Sequence, residues 1–363
     1  MVVVGGGIAG LATAWHLAQR GAPVTLLEAE PLFASHASGR NAAIFRQLEH
    51  DAAGTRLARR SAELLRALEG DGPPMLDRTG ALYLGTRREL SPLGALAARE
   101  GVMVRSVARD QITRVAPALW GCDAESALFV PGDGVLDVHA IAQALVAGAR
   151  ARGATLRTGV RVERVESRAA SVTGVRLSDE TLLDADAVVF AVGAWSASLG
   201  AACGLPMPVQ PRRRHLALLI PALGESELGP IVWRLDEEIY LRREAGGLLA
   251  SPCDEQDWPP GVPTTDPEAL AQLASRVERL APELAAREVR AVWACLRSFA
   301  PDAGLVAGAD PRLGGLTWVA GLGGRGMSVG LALGEVAAKA VLSEAHPLGA
   351  ELAPDRLLRR KAG

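Results

Sequence analysis

The chain has 363 residues, 49% hydrophobic and 22% charged, a balance that excludes wholesale disorder and a fibrous repeat. Its 39 basic and 41 acidic residues leave a formal charge of −2, which gives no electrostatic footprint for nucleic acid or an anionic membrane. The length exceeds one typical core, so two domains or one large insertion are expected.

In chain order, Val2, Val3 and Val4 form a short β-branched run. Gly5 to Gly10 form a turn, and residues 11–19 an Ala/Leu helix that Gly21 stops. Residues 24–28 read as the second strand of a βαβ unit, which implies a parallel sheet. Residues 35–43 are a loop of small and polar residues, and 55–69 an amphipathic Arg/Leu helix with Leu57, Leu64, Leu65 and Leu68 on its apolar side. Gly72, Pro73 and Pro74 break the chain before a strand at 81–84. Residues 137–152 predict an Ala-rich helix, 160–165 and 172–177 a half-buried hairpin, and 187–192 a buried central strand. Several strands are expected between 209 and 250 and a helix over 266–286. The chain ends in strand 316–320, a Gly-rich loop 321–326 and helix 327–342.

Cys122, Cys203, Cys253 and Cys295 show neither C-x-x-C spacing nor a neighbouring His cluster, which argues against a metal centre or a disulfide scaffold. Reduced thiols suit a cytoplasmic protein. Met1 runs directly into the first strand without a basic leader, and no apolar run reaches the ~18 residues of a spanning helix, so neither a signal peptide nor a membrane anchor is expected.

Gly5-x-Gly7-x-x-Gly10 lies between strand and helix, where a dinucleotide fingerprint requires it. The glycines permit the tight turn, the approach of a pyrophosphate and close helix–strand packing, and the helix N-terminus favours phosphate charge. Glu28, at the end of the next strand, is placed for ribose hydroxyls and argues against a 2′-phosphate. NAD and FAD both satisfy this pattern. The loop Gly323-Gly324-Arg325-Gly326, before a helix patterned by Met327, Leu331, Val336 and Ala340, supplies a second helix N-terminus of the kind that stabilises charge on a reduced flavin; an NAD enzyme would not need it.

Ser38-Gly39-Arg40-Asn41-Ala42-Ala43, Ala191-Val192-Gly193-Ala194-Trp195 and residues 293–299, 305–308 and 323–326 together resemble the D-amino-acid oxidase superfamily of FAD enzymes, which includes glycine and sarcosine oxidases. Residues 293–299, 305–308 and 323–326, together with 210–214 and 236–241, are similar to its bacterial D-arginine dehydrogenase subgroup. The resemblance covers nearly the whole chain in order. It implies an α/β protein: a Rossmann-like FAD-binding domain of residues 1–75, 131–205 and 298–363, interleaved with an α+β substrate domain of residues 76–130 and 206–297 on a mostly antiparallel sheet. It assigns FAD, held non-covalently, to Gly5, Gly7, Ile8, Ala9, Gly10, Glu28, Ala29, Ser35, Ser38, Gly39, Arg40, Asn41, Ala42, Ala43, Val162, Gly193, Trp195, Gly323, Gly324, Arg325, Gly326 and Met327.

On the substrate side the resemblance makes Arg297 the carboxylate anchor, Arg214 a second cation and Tyr240 a hydroxyl donor, consistent with the planar fork that arginine offers a carboxylate. The implied reaction is oxidative deamination of a free amino acid. Hydride passes from Cα to flavin N5, and the imino acid hydrolyses to a 2-oxo acid, with oxygen or a quinone as the final acceptor. No dedicated acid–base residue is required. The D-arginine subgroup carries an acidic residue, a His and a Tyr where Gly80, Ile44 and Glu49 stand here, so a neutral or an acidic side chain fits better than a basic one; a D-amino acid with a neutral side chain is expected, with Glu49 a candidate anionic contact. Arg46 and Arg325 are expected to add positive charge near the flavin. Glycine, sarcosine, proline or another secondary amino acid keeps the same chemistry. A non-catalytic FAD-binding scaffold would have no need of Arg297 and Tyr240. Neither nucleic acid nor membrane association is indicated.

Overall fold

The computed structural model describes residues 1–220, 228–284 and 287–358. Two large sheets organise it. The first has six strands in the order Val306–Ala309, Leu316–Ala320, Val188–Phe190, Val2–Val4, Thr25–Leu27 and Thr155–Arg157. All neighbours are parallel except the first pair. Val2–Val4, Val188–Phe190 and Leu316–Ala320 are buried throughout, which explains why they read as unbroken apolar runs.

The helix Ile8–Gln19 packs against Gly326–Val341, which also meets Ala52–Glu69. Small residues permit this close approach: a Cβ on Gly334 would lie 2.6 Å from Ala12 Cβ and 2.7 Å from the Thr13 nitrogen. The helix expected from residue 55 starts at Ala52 because Asp51 caps it, its carboxylate accepting the Gly54 N–H at 2.6 Å. The helix expected over 266–286 is Pro267–Leu280. Pro282 disfavours the helical conformation of Ala281, and residues 285–286 lie outside the described residues, as do 359–363 at the end of the third cofactor-side segment.

The second sheet has nine strands and is mostly antiparallel. Its backbone is the ladder between Gln210–Leu219 and Val289–Phe299, paired from Gln210↔Phe299 with a register shift at Leu218/Leu219. Ile231–Arg234 beside Ala81–Gly85 is its parallel pair. The first sheet thus draws on residues 2–27, 155–157, 188–190 and 306–320, and the second on 81–130 and 210–299. A three-stranded antiparallel sheet, Val162–Arg168, Ser171–Leu177 and Leu182–Asp184, carries the expected hairpin. The helix Arg87–Glu100 follows a capping box between Thr86 and Glu89. No helix among the described residues is long and apolar enough to cross a membrane.

Candidate functional site

A cavity of about 410 Å³ opens over the carboxyl ends of the first sheet. Two helices of twelve and sixteen residues, Ile8–Gln19 and Gly326–Val341, present their N-termini to it, and neither has a side-chain cap. The N-terminal N–H groups of a helix favour anionic groups. Gly10 permits this arrangement, since a Cβ there would collide with the Gly5 carbonyl oxygen. Ser38 Oγ accepts the Ile8 N–H at 2.9 Å, bringing the loop after the second strand onto the turn. Glu28 folds back over the same turn, its carboxylate accepting the N–H groups of Gly6 at 2.5 Å and Glu30 at 2.8 Å. At one end His36 and Trp195 pack with ring centroids 4.7 Å apart, and His36 Nε2 lies 3.0 Å from the Glu30 carboxylate. This donor set suits a dinucleotide diphosphate.

At the other end the cavity is closed by the ladder of the second sheet. Side chains alternate along a strand, and residues directly opposite in an antiparallel pair share a face. Arg212↔Arg297, Arg214↔Cys295 and Leu216↔Trp293 therefore lie on one face, whereas Arg213 and His215 lie on the other. Arg297 is 6% exposed and lines the cavity. Its only hydrogen bond to a described residue is from Nη1 to the Leu296 carbonyl at 3.3 Å, and no described carboxylate lies within ion-pair distance. Arg297 and Arg214 converge on Gly324, whose φ of +81° places the turn in the left-handed region; a Cβ there would lie 3.5 Å from Arg297 Cδ and 3.6 Å from Arg214 Nη1.

Gly323 and Gly324 also wall a second cavity of about 1130 Å³ lined by Arg46, Arg214, Trp233, Cys253 and Arg325. Tyr240 is buried behind it, in a row across the sheet with Trp233 and Tyr83: centroids are 4.9 Å apart for Trp233–Tyr240 and 6.5 Å for Tyr83–Trp233. Burial pushes the Tyr240 hydroxyl up to about 12, so it is neutral and a donor at ordinary pH. Burial likewise pushes the Cys253 thiol up to about 11, which keeps it protonated. Arg46 lies over the Trp233 ring at 4.5 Å and donates to Glu49 at 2.8 Å.

The expectation that Arg46 and Arg325 add net charge needs correction. Arg46 is neutralised by the fully buried Glu49, and Arg325 by Asp51 at 2.6 Å. Glu49 is thus spent on Arg46. His50, beside both arginines, is pushed down to about 4, first by Arg46 and then by burial, and cannot be a cation near neutral pH.

Most of the residues expected around FAD line the first cavity, from Gly5, Gly7, Ile8 and Ala9 through Glu28, Ala29, Ser35, Ser38, Arg40 and Asn41 to Val162, Gly193, Trp195, Gly323, Gly324, Gly326 and Met327. Gly10, Gly39, Ala42 and Ala43 stand behind the wall, and Arg325 faces the second cavity. Gly80 lines neither; a Cβ there would meet the Phe129 ring at 2.5 Å. Sequence reasoning missed Glu30, His36, Cys295, Ser298 and the segment 261–263. Cys295 was open to the alternation rule, two residues from Arg297 on one strand. Segment 261–263 carries no local signal, since only tertiary packing brings it to the cavity.

The family of FAD dependent oxidoreductases abbreviated DAO matches residues 1–340. The chain belongs to this family. FAD is therefore the cofactor of the family, and the glycine-rich turns, the two helix N-termini and Glu28 around the first cavity have the chemistry that such a dinucleotide requires. Among known members, 4-methylaminobutanoate oxidase (formaldehyde-forming) of Paenarthrobacter nicotinovorans is 26% identical over 94% of this chain. The chain spans 43% of that protein, and less than half the length of several other curated relatives it matches. Among solved structures, iminodiacetate oxidase from Chelativorans sp. BNC1 is 25% identical with a TM-score of 0.81, covering 97% of this chain and 98% of its own. L-proline dehydrogenase from P. horikoshii shares the fold with a TM-score of 0.91 at 24% identity, covering 99% of this chain and 97% of its own.

Proposed function

We propose that the protein oxidises a small amino acid at its Cα–N bond. The observation that carries this reading is Arg297, a buried guanidinium at the end of the cofactor cavity with no carboxylate partner among the described residues. Burying a lone cation is costly, and a substrate carboxylate is the group that compensates a planar fork. FAD, when bound, supplies the acceptor for two electrons and a proton equivalent.

The remaining work falls to the chain. Arg297 anchors the carboxylate, Arg214 adds a second cation across Gly324, and the neutral Tyr240 hydroxyl donates a hydrogen bond. Trp233 and Cys253 give the second cavity an apolar wall, and Ile44 and Trp293 pack with them against the cluster around Tyr240. Orientation and desolvation are the protein's contribution, and the amine is oxidised in its neutral form. The imino product hydrolyses to an oxo acid and an amine or ammonia, and oxygen or a quinone takes up the electrons. The same reading assigns FAD, non-covalently held, to residues 1–75, 131–205 and 298–363, and substrate to 76–130 and 206–297.

Within this class, two relatives favour a secondary amine over the primary D-amino acid expected from motif resemblance alone: 4-methylaminobutanoate and iminodiacetate, named for the enzymes similar to this chain, are both secondary amines bearing a carboxylate. A D-amino acid with a neutral side chain is the second reading, supported by the apolar Ile44 where the D-arginine subgroup carries a His.

The deciding experiment is anaerobic bleaching of the FAD-loaded protein by D-, L- and N-alkyl amino acids, proline and iminodiacetate. Fastest bleaching by N-alkyl compounds is expected. Bleaching by none of them would overturn the enzymatic reading in favour of an FAD-binding scaffold.

A further inference from the structure

Of the two cations that converge on Gly324, only Arg214 has a carboxylate partner among the described residues. Glu255 Oε1 lies 2.5 Å from Arg214 Nη2, and its other oxygen, Oε2, accepts from Arg212 Nη1 at 2.9 Å. Glu255 therefore bridges two arginines on one face of the strand Gln210–Leu219. Arg212 is 39% exposed and Arg214 11%, so the bridge runs from solvent into the wall of the second cavity.

Arg214 makes its other bonds to backbone, with Nε donating to the Asp254 carbonyl at 3.4 Å and Nη2 to the Cys253 carbonyl at 3.3 Å. Nη1, the atom nearest Gly324, has no acceptor among the described residues. The segment carrying Glu255 is pinned independently from the opposite face. His215 Nδ1 donates to Asp254 at 2.7 Å, His215 Nε2 accepts the Asp266 N–H at 2.9 Å, and Arg213 binds Thr264, Gln256 and Asp266. The backbone around residue 255 is thus fixed without help from the Glu255 side chain.

We propose that Glu255 is the exchangeable counter-ion of Arg214: it competes with the substrate carboxylate for this cation and swings onto Arg212 when the substrate binds. The inference rests on the reading of Arg214 and Arg297 as the carboxylate site. Glu255 keeps a partner on release, because Arg212 already holds one of its oxygens, so the swap leaves no uncompensated charge in the wall. Its effect is to weaken the binding of simple carboxylates and to favour ligands whose carboxylate engages both Arg297 and Arg214. Glu255 is therefore a specificity-setting residue rather than a catalytic one.

The test is titration of the FAD-loaded protein with acetate and benzoate, followed by the visible absorption of the flavin and by calorimetry. Glu255→Gln should bind both about threefold to tenfold more tightly than the wild type, as expected for a competing group in direct contact. In an Arg214→Met background the same change should have no effect. Glu255→Asp retains the charge but is one methylene shorter and should also tighten binding, which separates a contact from a general field and serves if Arg214→Met fails to fold. An unchanged or weakened affinity in Glu255→Gln, an effect that persists without Arg214, or no carboxylate binding in any form would each overturn the proposal. The two readings fail separately. Carboxylate binding that follows this cycle without flavin reduction by any amino acid removes the proposed reaction alone; reduction with affinity insensitive to Glu255 removes the counter-ion alone.

Discussion

Arg297→Met replaces the buried guanidinium with an apolar side chain of similar reach. Arg297 is 6% exposed, and its single acceptor among the described residues is a carbonyl at 3.3 Å, so the fork is available for two charge-assisted bonds to a carboxylate. Each such bond contributes about 1.5–3 kcal/mol. Removing one partner of a buried charge pair costs about 2–5 kcal/mol. At about 1.4 kcal/mol per decade, a loss of 3–4 kcal/mol lowers the second-order rate of flavin reduction by roughly 10²- to 10³-fold. The assay is anaerobic stopped-flow reduction with the best amino acid of the panel, normalised to bound FAD. The same substitution removes the desolvation cost of a buried cation, so the FAD-loaded variant should melt about 1–2 °C higher for a gain of about 1 kcal/mol. A loss of less than tenfold in a variant that holds its full complement of FAD would refute the assignment of Arg297. An unchanged melting temperature would refute the argument that its charge is held at a cost.

Two further predictions concern stability. His16 is buried between the two packed helices, donates to the Leu331 carbonyl at 3.1 Å, and is pushed down to about 4, chiefly by burial. The unfolded chain therefore takes up this proton first, and stability falls as pH drops from about 6.5 to 4, by roughly 3 kcal/mol from this group. Asp133 works in the opposite sense, since burial raises it to about 7 and stability falls as pH rises from about 4 to 7. Melting temperatures of His16→Gln and Asp133→Asn from pH 4 to 8 check both signs; a constant difference from wild type across that range would contradict them. Gly334→Ala should cost about 1–3 kcal/mol, because its methyl would sit 2.6 Å from Ala12 Cβ and 2.7 Å from the Thr13 backbone nitrogen, and both helices also pack on the first sheet. Denaturant unfolding measures this, and an unaltered midpoint would show that the helices are not so tightly apposed.

The cofactor side was legible in the sequence because it is local. Strand, turn and helix in Val2–Gln19 follow from β-branching, glycine spacing and the stop at Gly21, and Glu28 needs only the next strand. Charges at the substrate side were not. Arg46 and Arg325 look like free cations in the sequence, but Glu49 and Asp51 cancel them, and the second of these pairs joins residues remote in the chain. Helix ends were missed where a cap or breaker went unread: Asp51 starts at Ala52 a helix expected from residue 55, Pro282 lies inside the helix expected over 266–286, and the Thr86–Glu89 capping box begins a helix at Arg87–Glu100 that apolar periodicity does not show. The arginine run 212–214 shows the limit most clearly. Alternation assigns Arg212 and Arg214 to one face and Arg213 to the other, yet only the fold reveals that all three hold the segment around residues 254–266.

The first cavity takes its walls from residues 4–41, 160–163, 191–202, 261–263 and 295–327. The strand Leu316–Ala320 must insert beside Val188–Phe190, far apart in the chain, before the second helix N-terminus reaches the first. Pairings of such sequence separation form slowly, because loop closure precedes the contacts that reward it. The glycine-rich turn therefore depends on a strand and a helix about three hundred residues away in sequence to complete the cavity. A cofactor that binds only the completed cavity stabilises this long-range topology by mass action.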